Sequence, residues 1–297
     1  MEGRDMDEQQ WLAERFEEHR TRLRAVAYRM LGSLSEADDA VQDAWLRVSR
    51  ADTREVENLA AWLTTIVARV SLNMLRSRNT RREQPLDVHV PDPIVDSADG
   101  TDPEHEALLA DSVGLALLVV LEKLSPPERL AFVLHDMFGV PFENIAPIVE
   151  RSEEATRQLA SRARRRVRGT APLPDSDLAA QWEVVDAFLA AARKGDFDAL
   201  IGVLDPDVVL RADGGTTGLS HHVRGAETVA GQALMWSQVE LTMRRALING
   251  AAGIVSMREG RPFSVGAFTV SGGKIVEFDI LADPERLRGL DLTVLED

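Results

Sequence analysis

From Glu83 to Glu104 the chain reads EQPLDVHVPDPIVDSADGTDPE. Proline and aspartate recur there without the three-and-four spacing of an amphipathic helix, so the stretch reads as an extended linker. No single core can run through it. A second break, GTAPLPDSD from Gly169 to Asp177, divides the remainder of the chain. The chain is therefore expected to be multidomain, with units at 10–83, 106–169 and 178–297 and a linker at 84–105. At 297 residues there is enough chain for each unit to bury a core of its own.

Charge respects the same division. The whole chain carries a formal net charge of −15, yet arginines cluster at Arg69–Arg82 and again at Arg157–Arg168. Such acidity argues against a free-standing, non-specific DNA binder, whose affinity comes mostly from neutralising phosphates. If DNA is bound, a charge-segregated surface or another component has to help. The absence of cysteine excludes disulfides, thiolate zinc sites and cysteine nucleophiles, and it fits a reducing cytoplasm. The acidic start, MEGRDMDEQQW, lacks an apolar leader segment, and no apolar run approaches the roughly 20 residues that span a bilayer. The expected location is cytoplasmic, without a membrane partner.

The first unit is predicted to be helical. In EADDAVQDAWLRV, Val41, Ala44, Trp45 and Val48 form one apolar stripe, and Glu36, Asp38, Asp39 and Asp43 lie largely off it. Ser35, followed by acids, is the expected N-cap. In the next segment, Leu59, Trp62, Leu63, Ile66, Val67, Val70 and Met74 supply a buried face. Arg69, Asn73, Arg76 and Arg78 emerge on the other side, a set that suits phosphate and base-edge contact as well as the dipole of the helix C-terminus.

The second unit divides into three short helices. Pro126 and Pro127 suit a first helical turn, Gly139 ends that helix and Pro141 opens the next. A tight turn at Arg151–Ser152 comes next, with Ser152 as N-cap and Glu153 and Glu154 in the first turn of the last helix. Ala155, Leu159, Ala163 and Val167 are its expected buried stripe. Arg157, Gln158, Ser161, Arg162, Arg164 and Arg165 are left on the exposed arc. A short helix, a tight turn and a polar, basic helix make a helix-turn-helix pattern, in which the second helix enters the major groove. Arg157, Gln158 and Arg162 offer donors to base edges, and the later arginines suit phosphates.

The third unit changes character. A helical face of Trp182, Val185, Phe188, Leu189 and Ala192 is followed by apolar strands, with SGGK (Ser271–Lys274) as a hairpin turn between the last two. An α+β cone is expected. Asp213, His221, His222, Glu277 and Asp279 are its candidate acid–base groups. Glu277 and Asp279, two apart on a strand, share one face. No nucleophile elbow, phosphate loop or dinucleotide fingerprint is present, so neither an enzyme nor a cofactor is expected.

These segments resemble a known family. ADDAVQDAWLR (Ala37–Arg47), AWLTTIVARVSLNMLRSR (Ala61–Arg78), LSPPERLAFVLHD and FENIAPIVERSEEATRQLASRAR are similar, in order, to the motifs of extracytoplasmic-function (ECF) sigma factors of bacterial RNA polymerase. The resemblance implies two all-α sigma domains. A region 2 helical bundle would dock on the clamp of the polymerase β′ subunit through Asp38, Asp39, Gln42, Asp43 and Trp45, and read the −10 element through Asn73, Arg76 and Arg78. A region 4 helix-turn-helix would read the −35 element through Arg157, Gln158, Ser161, Arg162, Arg164 and Arg165. The partners implied are polymerase core and promoter DNA. Two positions depart from the family pattern: Arg69 stands where many members have Asn, and Asn73 where they have Asp.

The third unit resembles the NTF2-like, SnoaL-type fold. The SigJ type of these sigma factors carries such a tail in place of a separate anti-sigma protein. VHVPDP (Val88–Pro93), DGGTTG (Asp213–Gly218) and ADPERL (Ala282–Leu287) stand where that type has its linker, turn and C-terminal motifs, without the linker tryptophan and without lysine after the glycines. The resemblance implies a regulatory interface of Pro91, Pro93, Asp213, Gly214, Gly215, Asp283, Pro284 and Leu287, packing on the linker or region 2, and leaves room for a small ligand of the tail. Two other readings stay open: a ligand-sensing helix-turn-helix regulator acting without polymerase, and a SnoaL-like isomerase or cyclase fused to a DNA-binding part.

Overall fold

A computed structural model of the chain describes residues 2–51, 53, 56–81, 88–98, 100, 114–170, 172, 174–215 and 220–293. The chain forms two compact units. One is drawn from residues 1–84, 106–111 and 120–170, the other from 85–105, 112–119 and 171–297. Among the described residues no helix is long and apolar enough to cross a membrane.

The first unit is all helical. Helices α1 (Glu2–Leu31), α2 (Leu34–Val48) and α3 (Leu59–Arg81) pack on one another. Leu12, Phe16, Leu23, Ala27 and Met30 of α1 bury one side of that helix, and the Phe16 ring meets Trp45 of α2 at 5.1 Å. The N-cap of α2 is Ser33, whose hydroxyl accepts from the Glu36 amide, and not Ser35. Gly32, at φ 72°, lets the chain turn two residues earlier than the acidic pattern suggests.

After α4 (Leu115–Glu122), α5 (Pro126–Phe132) runs into one π turn (Val133–Met137). Then come α6 (Phe142–Val149) and α7 (Glu153–Thr170). Helix α6 ends in a left-handed Glu150 at φ 58°, and the Arg151 amide returns to the Ala146 carbonyl at 3.1 Å, closing the turn. Ser152 begins α7 by accepting from the Ala155 amide. Ala163 is buried in α7 as expected, but its companions are Thr156 and Ala160, one residue round from the expected Ala155 and Leu159, which with Val167 are half-buried. Small side chains at 156, 160 and 163 let α7 lie close on α5 and α6. Helix α3 also packs on α5 and α6.

The second unit is an α+β cone. Its seven-stranded sheet has the order β1-β4-β5-β6-β7-β2-β3. The strands are β1 (Val95–Ser97), β2 (Leu204–Asp213), β3 (His221–Arg224), β4 (Thr242–Ile248), β5 (Ala251–Arg258), β6 (Arg261–Ser271) and β7 (Lys274–Leu281). All pairs are antiparallel except β2 with β7. Helices α8 (Leu178–Lys194), α9 (Phe197–Val203) and α10 (Ala226–Ser237) contribute to one core with the sheet, and α11 (Pro284–Leu287) closes the chain after β7. The Gly272–Gly273 turn has both residues at positive φ, as a tight hairpin of mirror-image type requires.

Strand β1 comes from the stretch read as a linker. It pairs with β4, Val95 opposite Ile248, and forms the edge of the sheet. Residues Val90–Asp96 are buried. Their prolines suppress helix and leave an extended backbone, which is what an added edge strand needs.

Candidate functional site

Helix α7 presents its N-terminal half to solvent. Arg157, Gln158 and Ser161 are exposed, with Arg157 paired to Glu153 and lying 5.7 Å over the Phe142 ring. Farther along, carboxylates of α5 and its π turn hold the arginines. Arg162 donates to Glu128 at 3.2 Å, Arg166 to the other oxygen of Glu128 at 3.1 Å, and Arg164 to Asp136 at 2.6 Å. Glu128 is buried, and it also receives the Ser125 amide and hydroxyl as the return half of a capping box. Burial pushes its carboxyl upward, but the Ser125 bonds and the two arginines outweigh that and hold it below the ordinary range. Arg165 is exposed. Periodicity places Arg162 and Arg164 on the helix surface but carries no sign of Glu128 and Asp136, whose role depends on how α5 and α7 meet.

On α3, Arg69, Asn73 and Arg76 form an exposed row at i, i+4 and i+7. Arg78 leaves that row. Its guanidinium turns inward to the Leu31 carbonyl at 3.3 Å and to the Glu36 carboxylate. It ties α3 to the junction of α1 and α2. On α2, Asp38, Asp39 and Gln42 are exposed, while Asp43 and Trp45 are half-buried. Asp38 pairs with Arg24 at 2.7 Å and Asp43 with Arg47 at 2.8 Å.

In the second unit the linker is latched to the ends of β2 and β7. Asp213, the last residue of β2, accepts the Val90 amide at 3.0 Å, and His89 Nδ1 lies 3.3 Å away. Arg286 of α11 donates to Asp213 and to Asp92, each at 2.8 Å, and to the Val90 carbonyl at 2.5 Å. Farther along, Asn249 holds Ile94 through both its amide nitrogen and its side-chain oxygen. Burial pushes the Asp213 carboxyl up, but His89, the Val90 and Gly215 amides and the Arg286 charge outweigh it and keep it lowered.

Of the residues expected at a regulatory interface, Pro91 and Pro93 are buried in this latch and Gly214 and Gly215 form the turn after Asp213. Asp283 caps α11, Leu287 is buried, and Pro284 is exposed. Thr216–Gly218 of the turn motif lie outside the described residues. Arg286 and Asp92, the charged centre of the latch, are absent from the sequence-based set. Each is one charge among many until the fold brings them together.

Glu277 and Asp279 do share a face, and it is closed by Arg211. Its guanidinium donates to Glu277 at 2.8 Å and to Asp279 at 2.7 Å, all three side chains being buried. The alternate residues, Leu210, Ala212, Phe278 and Ile280, line a cavity on the opposite face of the sheet. His221 lines it too, whereas His222 is exposed.

Two family models match the chain: sigma-70 region 2 over residues 15–81 and sigma-70 region 4 over residues 114–167. The ECF RNA polymerase sigma factor SigJ of Mycobacterium tuberculosis is 38% identical over 292 residues, covering 93% of each chain. The chain belongs to the ECF sigma factors. A second relative of this sigma factor, the probable ECF sigma factor SigI of the same species, is 34% identical and covers 91% of this chain and 92% of its own. The crystal structure of M. tuberculosis SigJ superposes with a TM-score of 0.75 at 34% identity, over 94% of this chain and 99% of that one. This sigma factor thus combines helical sigma domains with a mixed-sheet C-terminal domain, over a length that the SigJ structure also spans.

Proposed function

We propose that this sigma factor binds RNA polymerase core through the exposed acids of α2, reads a −10 element with α3 and a −35 element with α7, and is regulated by its own C-terminal domain without a separate anti-sigma protein. In this reading 10–83 is the core-binding and −10 unit, 106–169 the −35 reader, 178–297 the control domain and 84–105 the segment it controls. Its place is the cytoplasm, where promoters and polymerase are found.

The observation that carries the reading is that two rows, Arg69–Asn73–Arg76 and Arg157–Gln158–Ser161, stay exposed in a chain of net charge −15. Polymerase supplies the rest of the grip, so the free protein need not be basic. Carboxylates at Asp38, Asp39 and Asp43 would steer encounter with a basic clamp.

The two readers belong to one helical unit, with α3 packed on α6 and α6 on α7. At 8–10 Å per packed helix pair, that puts them roughly 20 Å apart. Elements centred near −10 and −35 lie about 25 base-pair steps apart, on the order of 85 Å at 3.4 Å each. The compact arrangement is therefore a resting form that has to open. The ten latched residues 88–97 can span roughly 33 Å when fully extended, and releasing them from the sheet frees that length to follow the opening.

The test is transcription in vitro with polymerase core, comparing the full chain with Arg286→Ala. Promoter-directed initiation that rises in the variant supports both halves of the reading. Failure of either protein to bind core in a pull-down would overturn the sigma role, and equal output would overturn control through the latch.

A further inference from the structure

The curved sheet, α8 and α10 enclose a cavity of about 650 Å³ in the second unit. That volume suits a small organic molecule. Its walls are rings and aliphatic groups: Phe188 and Leu189 from α8, Trp236 from α10, Phe263 from β6, Phe278 and Ile280 from β7. Gly266 leaves space for one of those rings, since a Cβ there would sit 2.8 Å from the Phe278 side chain. His221, Gln232 and Ser256 add hydrogen-bonding groups.

The charged side chains on its border are exposed or already engaged. Arg245 pairs with Asp186, and Arg193 is exposed and donates to the Leu189 carbonyl. Asp213, Glu277 and Asp279 belong to the opposite face, held by Arg286 and Arg211. A charged ligand body would be desolvated here without a counter-ion, which is strongly unfavourable.

The cavity and the latch share two strands. Ala212 lines the cavity, and the next residue is Asp213; Ala282 lines it, and Asp283 to Arg286 come directly after. The Ala282 amide donates to the Asp213 carbonyl at 2.7 Å, tying the two strand ends together. A molecule that wedges β2 and β7 apart moves the carboxylate and the guanidinium that grip the linker.

We infer that this cavity is a receptor site for an uncharged, mostly aromatic or aliphatic small molecule, which it holds without transforming, and that its occupancy changes the grip on residues 88–97. The binding half stands alone; the second half rests on the latch being a control element. Ligand-driven change requires such a differential effect on two states.

The experiment uses the full chain and two fluorescent probes, neutral N-phenyl-1-naphthylamine and its anionic analogue 1-anilinonaphthalene-8-sulfonate. The neutral probe is expected to bind saturably at one site, at least tenfold tighter than the anion. Ala233→Trp and Ser237→Trp, two independent fillings from α10, are each expected to weaken it at least tenfold without shifting the unfolding temperature. Saturating neutral probe is expected to change amide exchange at Val90 and Ile94 at least threefold in the parent and not in the filled variants. No saturable binding, or unchanged binding in both filled variants, overturns the site. Tighter binding of the anion overturns the ligand class. Binding that leaves Val90 and Ile94 unchanged overturns the coupling. Core-dependent transcription, measured in parallel, reports on the sigma role separately.

Discussion

The Arg286 guanidinium donates to the Asp92 carboxylate at 2.8 Å across 194 residues of chain. The same group satisfies Asp213 and the Val90 carbonyl, so one side chain neutralises two mostly buried acids. Arg286→Ala removes the guanidinium that both buried acids share. We expect it to cost about 2–4 kcal/mol, because breaking a buried pair strands the remaining charge. Denaturant unfolding of the second unit measures that loss, and amide exchange at Val90 reports local release. Arg286→Lys should fall between, since an ammonium cannot reproduce the planar fork. A variant as stable and as protected as the parent would contradict the latch.

Acid should loosen the latch through Asp213. Its folded pKa is depressed, so its contribution is full above the ordinary aspartate range, near pH 4, and is lost as pH falls through the lower folded value. Exchange at Val90, corrected for its intrinsic pH dependence, should therefore accelerate as pH falls below the ordinary aspartate range in the parent. In Asp213→Asn that acid-dependent part should be absent. A parent profile identical to that of the Asn variant would remove Asp213 from the account.

Two glycines with nearly the same backbone should respond differently to a methyl group. Gly215 has φ 57°, and a Cβ there would lie 2.2 Å from the Asp283 carboxylate. Gly272 has φ 59° with nothing within 4 Å. Gly272→Ala should cost about 1 kcal/mol, the left-handed backbone alone. Gly215→Ala should cost about 2–3 kcal/mol, because the Asp283 cap of α11 must also move. Equal thermal shifts for the two would show that the approach of Asp283 is not tight.

Glu128 should tune how α7 holds DNA. It neutralises Arg162 and Arg166 in the free protein and fixes their orientation. Glu128→Gln keeps hydrogen bonding to Ser125 while releasing both arginines. Non-specific duplex affinity should rise, with a salt dependence steeper by up to about 0.9 for each phosphate newly contacted. Discrimination between promoter and random sequence should fall. Titrations at several salt concentrations measure both, and a loss of affinity for every sequence would contradict this role.

What the sequence made legible was local. The helix-turn-helix derives from Gly139, Pro141, Ser152 and the basic arc of α7, each read from its own neighbours within one continuous stretch of chain. The face shared by Glu277 and Asp279 is fixed by strand alternation, but its closure by Arg211 is not, because that partner is 66 residues away from Glu277. Arg78 looked like part of a basic row and is instead directed at Leu31 and Glu36, a choice made by how α3 meets α1 and α2. Periodicity places Ala163 correctly in the stripe of α7 but favours Leu159 over Ala160, because the closest approach is marked by small side chains. The strand at Val95–Ser97 was hidden for a different reason: its ladder partner is supplied by β4, far along the chain.

That partnership has a consequence in time. Ile94 waits for Asn249, 155 residues later. A ribosome adding about 5–20 residues per second takes on the order of 8–30 s to deliver it. Once Ser161 has been made, both promoter-reading rows have been synthesised, while the strand that grips the segment between them is still more than 80 residues from completion. Every newly made molecule begins unlatched, and its restraint arrives only with the last third of translation.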